Sequence, residues 1–249
     1  MTKGLILAAG RGSRLGEMTE HMPKGLVELK SKSLIARTID TMRSSGLDEI
    51  AVVTGYQSEK IDKFGLRTYK NEQWSKTNMV SSLMEADEWL STGNTIVCYS
   101  DIFFSPYILQ DLISFKGDMV ITADLKWECL WRRRNEDFLA DAESFRSVNG
   151  RLVDIGRQPV TREEIEAQYM GLLKISSEGW ARIKDYLLSL EKGVVAGLSM
   201  TDLLMRLISL GESVMVCFTQ GQWGEVDTPT DLSLYLKMDN DGEFGDWLD

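Results

Sequence analysis

The chain has few of the residues that build disulfide frameworks, zinc sites and hydrolase triads. It contains three cysteines and one histidine in 249 residues. Because Cys98, Cys129 and Cys217 are far apart and odd in number, we expect buried thiols rather than a disulfide or a zinc site. With His21 as the sole histidine and no G-x-S-x-G motif, neither a serine nor a cysteine hydrolase site can be assembled.

Long apolar runs and a surplus of positive charge are also absent. No apolar segment approaches the roughly 18 residues of a membrane span, and the N-terminus does not resemble a signal peptide. We therefore expect a cytoplasmic protein without a membrane partner. The net charge of −10 argues against a nucleic-acid partner, because polyanion binding draws on a surplus of Lys and Arg. With four prolines and no linker-like stretch, composition marks no domain boundary.

What the sequence does contain is an alternation of strand-like and helix-like segments. Ile35, Ile39 and Met42 follow helical spacing, as does the later set that begins at Met79. Several strand segments are near-continuous apolar runs, which is typical of parallel strands covered on both faces. The predicted strands are residues 5–9, 50–54, 66–69, 96–100, 119–124 and 214–218. The pattern predicts an α/β fold with a doubly wound, mostly parallel sheet.

A glycine-rich segment, GRGSRLG, follows the first predicted strand. Gly10 and Gly12 permit a backbone path that exposes successive N–H groups to an anion. The segment matches neither G-x-x-x-x-G-K-[ST] nor the dinucleotide spacing, so these two phosphate-binding motifs are excluded. Arg11, Arg14 and Lys24 add three cations within fourteen positions of an acidic protein. A phosphate site is therefore predicted, and a solvated basic loop is the alternative.

The segment LAAGRGSRLGEMTEHMPKGLVEL resembles the signature of the nucleotidyltransferase superfamily, L-A-A-G-x-G-[ST]-R followed by P-K. The resemblance implies a Rossmann-like nucleotidyltransferase fold with a smaller substrate-binding lobe. It also implies one domain over residues 1–249, with the nucleotide bound by about 1–123 and the acceptor by about 124–249. Lys24 would lie by the α-phosphate. The residues expected at the nucleotide are Leu7, Ala8, Ala9, Gly10, Arg11, Gly12, Ser13, Arg14, Gly55, Tyr56, Asn78 and Ser82.

Two aspartates are candidates for holding a metal. Asp101 ends a predicted strand upstream of Ser105-Pro106, and Asp227 precedes Thr228-Pro229. Because Ser105 and Thr228 can cap the following helices, neither aspartate is needed as a helix cap. A purely structural role remains the alternative for each aspartate taken alone. In the resembled family these positions supply the carboxylates that bind Mg²⁺, an ion usually held by one or two carboxylates plus substrate and water.

The hypothesis for the reaction is in-line attack by a phosphate or phosphonate oxygen of an acceptor on the α-phosphorus, with pyrophosphate leaving. No general base is needed because the attacking oxygen is already an anion. Lys24 would stabilise the transition state and Arg14 the departing pyrophosphate. A lone nucleotide-binding module is a less favoured alternative, because binding alone does not require Lys24, Asp101 and Asp227 together.

The choice of base and acceptor depends on later segments. WSKTNMVSSL, DLKWECLWRRR and GQWGEVDT resemble the phosphocholine, aminoethylphosphonate and phosphoglutamine cytidylyltransferases, which implies CTP. The alternative is a sugar-1-phosphate nucleotidylyltransferase that uses UTP, dTTP or CTP. Tryptophans, acids and cations of the middle stretch are candidates for binding an ammonium and a phosphate of the acceptor. These candidates are Trp127, Trp131, Arg133, Asp141, Glu143 and Lys174, with aromatic packing under a charged face as the alternative. A homodimer is the default expectation.

Overall fold

A computed structural model describes residues 1–248 of the chain. The strands, numbered in chain order, are β1 (Thr2–Ala8), β2 (Glu28–Leu29), β3 (Lys32–Ser33), β4 (Ile50–Thr54), β5 (Arg67–Lys70), β6 (Asn94–Tyr99), β7 (Ile102–Phe104), β8 (Met119–Asp124), β9 (Phe145–Val148), β10 (Arg151–Ile155), β11 (Gln168–Ile175), β12 (Met215–Thr219) and β13 (Trp223–Glu225). The helices are α1 (Leu34–Ser44), α2 (Met79–Glu85), α3 (Asp87–Leu90), α4 (Pro106–Ser114), α5 (Trp127–Arg134), α6 (Ser177–Ser189), α7 (Lys192–Gly197), α8 (Met200–Ser209) and α9 (Pro229–Asn240).

The centre of the fold is a nine-stranded sheet in the order β5-β4-β1-β6-β11-β8-β12-β10-β9. Strands β5, β4, β1 and β6 are parallel neighbours, and β12 is parallel to β8. Strands β10 and β11 run against their neighbours. The prediction of an α/β fold with a large, mostly parallel sheet is confirmed, and all six predicted strands overlap observed ones.

Alternate side chains of the central strands pack into two hydrophobic cores, one on each face of the sheet. Ile6 of β1 packs in a core with α1 and α4, whereas Leu5 and Leu7 pack in a core with α2, α6 and α8. Because successive side chains of a strand point to opposite faces, a strand covered on both sides is apolar at nearly every position. The doubly wound arrangement is therefore the structural reason for the continuous apolar runs in the sequence.

Strand β11 is the main element that periodicity did not predict. It inserts antiparallel between β6 and β8, and its register shifts between Tyr169 and Leu173. Gly171 lies in this shift with a φ of 74°, and a Cβ there would come within 2.5 Å of the Tyr99 ring. A bulge of this kind redirects side chains at the end of a strand. Here it leaves room for the Tyr99 ring beside β11.

A short ribbon, β7 paired antiparallel with β13, lies beside the carboxyl end of β6. The C-terminal segment packs against it: the Trp247 ring stacks on Phe103 at 6.1 Å, Phe244 also contacts Phe103, and Leu248 is buried. Whether this acidic segment docks on the rest of the chain was open from the sequence. It docks on the ribbon.

The cysteine prediction is confirmed for Cys98 and Cys217, which are buried, and is wrong for Cys129, which lies exposed on α5. All three thiols are free. Among residues 1–248, no helix is both long enough and apolar enough to cross a bilayer.

Candidate functional site

The glycine-rich segment turns sharply after β1, at the carboxyl end of the parallel strands. Gly12 has a φ of 75°, which disfavours other residues, and a Cβ there would lie 2.7 Å from the Lys24 Cβ. The carbonyl of Gly12 accepts hydrogen bonds from Leu15 N and from the Thr19 hydroxyl. Gly10 has no positive φ, and a Cβ there would meet no protein atom. Gly12 is therefore the residue that allows the loop to pass close to Lys24.

Lys24 lies at the centre of the charged site. Its ammonium donates to Asp101 Oδ2 at 2.6 Å and to Asp227 Oδ1, although these residues are 77 and 203 positions away. The lysine side chain is 12% exposed. Burial acts to lower its pKa, but the two aspartates outweigh burial and hold the pKa above the usual value. Lys24 is therefore a fixed cation at any assay pH.

Arg14 contacts the same carboxylate cluster from the solvent side. Its guanidinium lies 2.9 Å from Asp227 Oδ2 and 3.7 Å from Asp141 Oδ1, and its side chain is 60% exposed. Burial raises the pKa of Asp141, whereas Arg134 and Arg14 oppose that rise. The guanidinium of Arg14 is thus accessible to a ligand while it contacts the buried Asp227.

The two aspartates are held together by the ribbon of β7 and β13. Val226 N donates to Asp101 O at 2.9 Å, which continues the pairing of the ribbon up to both carboxylates. As predicted, Ser105 caps α4 and Thr228 caps α9, each with proline in the first turn. Asp101 and Asp227 therefore take no part in capping through their own side chains.

The donor set fits a hard divalent cation that is also bound by a substrate. Asp101 Oδ1 is buried and has no hydrogen-bond partner within residues 1–248, so one carboxylate oxygen is left for another ligand. No group of three or more His, Cys, Asp or Glu side chains in the described chain could hold a metal by itself. Two carboxylates completed by phosphate oxygens and water are the arrangement that Mg²⁺ commonly takes.

Arg134 and Glu225 belong to this cluster, although the sequence analysis did not single them out. The Arg134 side chain is 2% exposed and donates to Glu225 Oε1 at 2.6 Å and to Asp231 Oδ1 at 2.8 Å. Burial, together with Asp227 and Asp101, raises the pKa of Glu225 to about 7 against the opposing effect of Arg134. The only signal in the sequence is helical spacing: Trp127, Leu130 and Arg134 share the buried face of α5.

A cavity of about 150 Å³ opens beside the end of β1 and the start of the glycine-rich segment. Of the twelve residues expected at the nucleotide, it is lined by Leu7, Ala9, Gly10, Asn78 and Ser82, with Trp74, Thr77 and Met79. Two residues of its wall also have structural roles. Asn78 caps α2, and Ser82 accepts a hydrogen bond from Asn71. Ala8 packs in the core on the opposite face of the sheet, so its side chain is not available to this cavity.

Gly55 and Tyr56 connect this cavity to the glycine-rich segment. Tyr56 N donates to Ala9 O at 3.0 Å, and its hydroxyl donates to the carbonyl of Glu20. A Cβ on Gly55 would lie 2.6 Å from Trp74 Cβ. The exposed Arg11 lies with its guanidinium 5.8 Å from the Tyr56 ring, and Ser13 is exposed at the start of the next turn. These contacts hold the predicted base-side and phosphate-side segments next to each other.

The predicted ammonium-binding role of the tryptophans needs correction. Trp127 is fully buried and packs against Trp131 and Phe138. Trp131 is 3% exposed, its indole N–H donates to Asp141 O, and the Arg134 guanidinium lies 5.0 Å from its ring. Both rings are therefore core residues, because side chains of the protein already cover them.

Two predicted acceptor cations also lie elsewhere. Arg133 makes a bidentate ion pair with Glu243 on the outer side of α5. Lys174 is 5% exposed, and its ammonium donates to the carbonyls of Ile113 and Phe115 at the end of α4. A cation at a helix C-terminus satisfies unpaired carbonyls and the helix dipole. Both residues are corrected to structural ion pairing and helix capping.

Glu143 lies beside β11, the strand that carries Tyr169, because its backbone N–H donates to Gln168 Oε1 at 3.1 Å. Its carboxylate accepts from the Thr201 hydroxyl at 3.1 Å, and burial raises its pKa. Tyr99 and Tyr169 lie edge to face with ring centroids 6.0 Å apart. Burial raises the pKa of both phenols, and Glu143 adds to the rise. Neither tyrosine was predicted to lie at the site, because Tyr99 falls in a predicted strand and Tyr169 lies in β11, which periodicity did not predict.

Comparison with known proteins assigns the family. Residues 4–153 match the model of the MobA-like NTP transferase domain. The chain belongs to this family. It is 32% identical to the CTP:phosphoglutamine cytidylyltransferase of Campylobacter jejuni, over 94% of this chain and 98% of that protein. It is 37% identical to the choline-phosphate cytidylyltransferase of Streptococcus pneumoniae over 38% of this chain and 43% of that protein.

Solved structures confirm the fold of the family. A structure titled as a putative glucose-1-phosphate thymidylyltransferase from Bacillus anthracis superposes with a TM-score of 0.77 at 17% identity, covering 100% of this chain and 99% of that one. The resemblance stated from the signature is therefore confirmed, and the chain is an enzyme of nucleotidyl transfer.

Proposed function

We propose that this family member is a Mg²⁺-dependent cytidylyltransferase that transfers CMP from CTP to a small acceptor with a phosphate or phosphonate and an amine or amide. Pyrophosphate is released. The observation that carries the proposal is the contact of Lys24 with both Asp101 and Asp227 behind the glycine-rich segment. CTP is favoured because cytidylyltransferases stand among the relatives, one of them aligned along nearly its whole length.

Cationic and acidic residues of the site have different roles in the proposed reaction. The segment from Gly10 to Arg14 binds the triphosphate with backbone N–H groups and the guanidinium of Arg14. Lys24 neutralises the charge that develops on the α-phosphate, and because its pKa is held high it acts without giving up a proton. Asp101 and Asp227 would hold Mg²⁺, which supplies charge neutralisation and orientation of phosphate oxygens.

The acceptor needs no general base from the protein, because its phosphate or phosphonate oxygen is already an anion. An attacking anion must instead be brought close to an anionic triphosphate, which costs Coulomb energy. The positive charges of Arg14 and Lys24 would offset that repulsion.

For the far end of the acceptor we propose Glu143 and Asp141, with Tyr99 and Tyr169 as the neighbouring wall. In this proposal the two tyrosines take the acceptor-binding role that the sequence predicted for Trp127 and Trp131. A carboxylate bound by a hydroxyl beside two phenols suits a hydrogen-bonding amine or amide. A quaternary ammonium would instead require exposed aromatic faces around it.

The test is a pyrophosphate-release screen with and without Mg²⁺. It crosses CTP, UTP, dTTP and ATP with phosphocholine, phosphoethanolamine, 2-aminoethylphosphonate, a phosphorylated amino-acid amide and glucose 1-phosphate. The expected result is Mg²⁺-dependent release with CTP and an amine or amide acceptor. Release only with glucose 1-phosphate, or no release with any pair, would refute the proposal.

A further inference from the structure

We infer that Arg134 is a positioning residue that holds Asp227 in the orientation needed to bind the divalent cation. The inference rests on the proposed function, because it takes Asp227 as a metal ligand. Arg134 is the last residue of α5 and lies more than ninety positions before Asp227. Its side chain is 2% exposed, so it is not available to solvent ligands.

The guanidinium fixes the chain on both sides of Asp227. On one side, Arg134 Nη1 donates to Glu225 Oε1 at 2.6 Å. On the other, Arg134 Nε donates to Asp231 Oδ1 at 2.8 Å. The second oxygen of Asp231 accepts from Asp227 N at 2.9 Å. One planar group therefore ties together the residues two before and four after the proposed ligand.

Asp231 also completes the local turn. Its Oδ2 accepts from Thr228 N, and its own N–H donates to the Thr228 hydroxyl, which are the two hydrogen bonds of the capping box at the start of α9. Arg134 thus holds the cap that sets the direction of the chain through Asp227. Its Nη2 also lies 3.8 Å from Asp227 Oδ2 and 4.0 Å from Asp141 Oδ2. Lys24 contacts the other oxygen of the Asp227 carboxylate, Oδ1.

Lysine cannot replace this arrangement. An ammonium carries the same charge, but it lacks the rigid fork that reaches two carboxylates in a plane. Comparing Arg134→Lys with Arg134→Met therefore separates the effect of the positive charge from the effect of the guanidinium geometry. The chain offers a matched control in Arg133, the preceding residue, whose ion pair with Glu243 is also bidentate but lies on the outer face of α5.

The experiment measures Mn²⁺ binding by electron paramagnetic resonance in the presence of a non-hydrolysable CTP analogue. The same variants are tested for binding of that analogue in EDTA, and their folding is checked by circular dichroism. Arg134→Met and Arg134→Lys are both expected to weaken Mn²⁺ binding tenfold or more, as expected for loss of a group that orients a ligand. Binding of the metal-free analogue should change less than twofold, and Arg133→Met should leave both unchanged.

A merely structural role predicts a different result, in which affinity for the metal and for the metal-free analogue fall together. That result overturns the inference, as does a folded Arg134→Lys protein that binds Mn²⁺ within twofold of wild type. If Arg134→Met does not fold, Arg134→Lys decides the question. Failure of the proposed function is distinct, because wild type would then release no pyrophosphate from CTP with any acceptor in the screen.

Discussion

Removing Lys24 should strengthen metal binding by the nucleotide-free protein while it abolishes turnover. The lysine ammonium contacts the two carboxylates proposed to hold the metal, and its side chain and those of Asp101 and Asp227 are largely buried. The protein therefore carries its own cation where the metal is proposed to bind. A divalent ion that arrives alone must displace it.

The size of the effect follows from the contacts. A hydrogen bond to a charged group contributes about 1.5–3 kcal/mol. If Lys24→Met removes one such contact that the metal must break, the association constant for Mn²⁺ rises by about tenfold to a hundredfold. In the wild type, Lys24 does not lose this competing charge by deprotonation, because the aspartates hold its pKa above the usual value.

The assay is a Mn²⁺ titration without nucleotide, followed by electron paramagnetic resonance. Lys32→Met is the control for loss of one positive charge, since Lys32 pairs with Asp40 at the surface. Asp101→Asn in the Lys24→Met background should remove the gain. Turnover should fall at least a hundredfold in Lys24→Met. Mn²⁺ binding that is unchanged or weaker in this variant would refute the reasoning.

Three further predictions concern the glycine-rich segment, the buried acid and the C-terminal segment. Gly12→Ala should lower the free energy of unfolding by about 1 kcal/mol or more and reduce turnover at least tenfold, because φ is positive at this residue and Lys24 must move. Urea unfolding and pyrophosphate release measure the two effects. Turnover at the wild-type rate would contradict the prediction. Glu225 has a pKa raised from 4.5 to about 7, so the folded state binds a proton that the unfolded state has lost, and wild-type stability should fall as pH rises through this window. Glu225→Gln should flatten that slope in urea unfolding at pH 5 and pH 8, and an unchanged slope would count against the raised pKa. Trp247→Ala should cost about 2 kcal/mol in urea unfolding by removing the ring stacked on Phe103, and a loss below about 0.5 kcal/mol would mean that the segment does not dock.

The features that the sequence predicted well depend on local rules. The parallel strands are recognisable because both faces are covered, so nearly every position is apolar. The caps at Ser105 and Thr228 follow from a hydroxyl before a proline, and both are observed. The meeting of Lys24 with the two aspartates needed the family signature, since no local rule relates positions 24, 101 and 227.

The features that the sequence did not predict depend on tertiary packing. Helical spacing puts Arg134 on the same face of α5 as Trp127 and Leu130, but it does not reveal that α9 packs against this helix. Trp127 and Trp131 are four residues apart on one helical face, a spacing that fits a core stripe as well as a binding site. Strand β11 inserts between two strands far away in sequence, so its neighbours cannot be derived from its own residues.

The proposed acceptor wall and the proposed metal ligand lie next to each other in the chain, at the end of β6, which constrains how specificity can change. Tyr99 ends β6 two residues before Asp101, and its ring occupies the space left by Gly171. A side chain at position 171 would clash with the Tyr99 ring, and because Tyr99 is two residues before Asp101, we expect a change at this ring to disturb Asp101. Access to a larger acceptor is therefore more readily gained at Tyr169, on the neighbouring strand, than at Tyr99. Comparing Tyr169→Ala with Tyr99→Ala tests this, with Mn²⁺ binding expected to survive the first change and to weaken in the second.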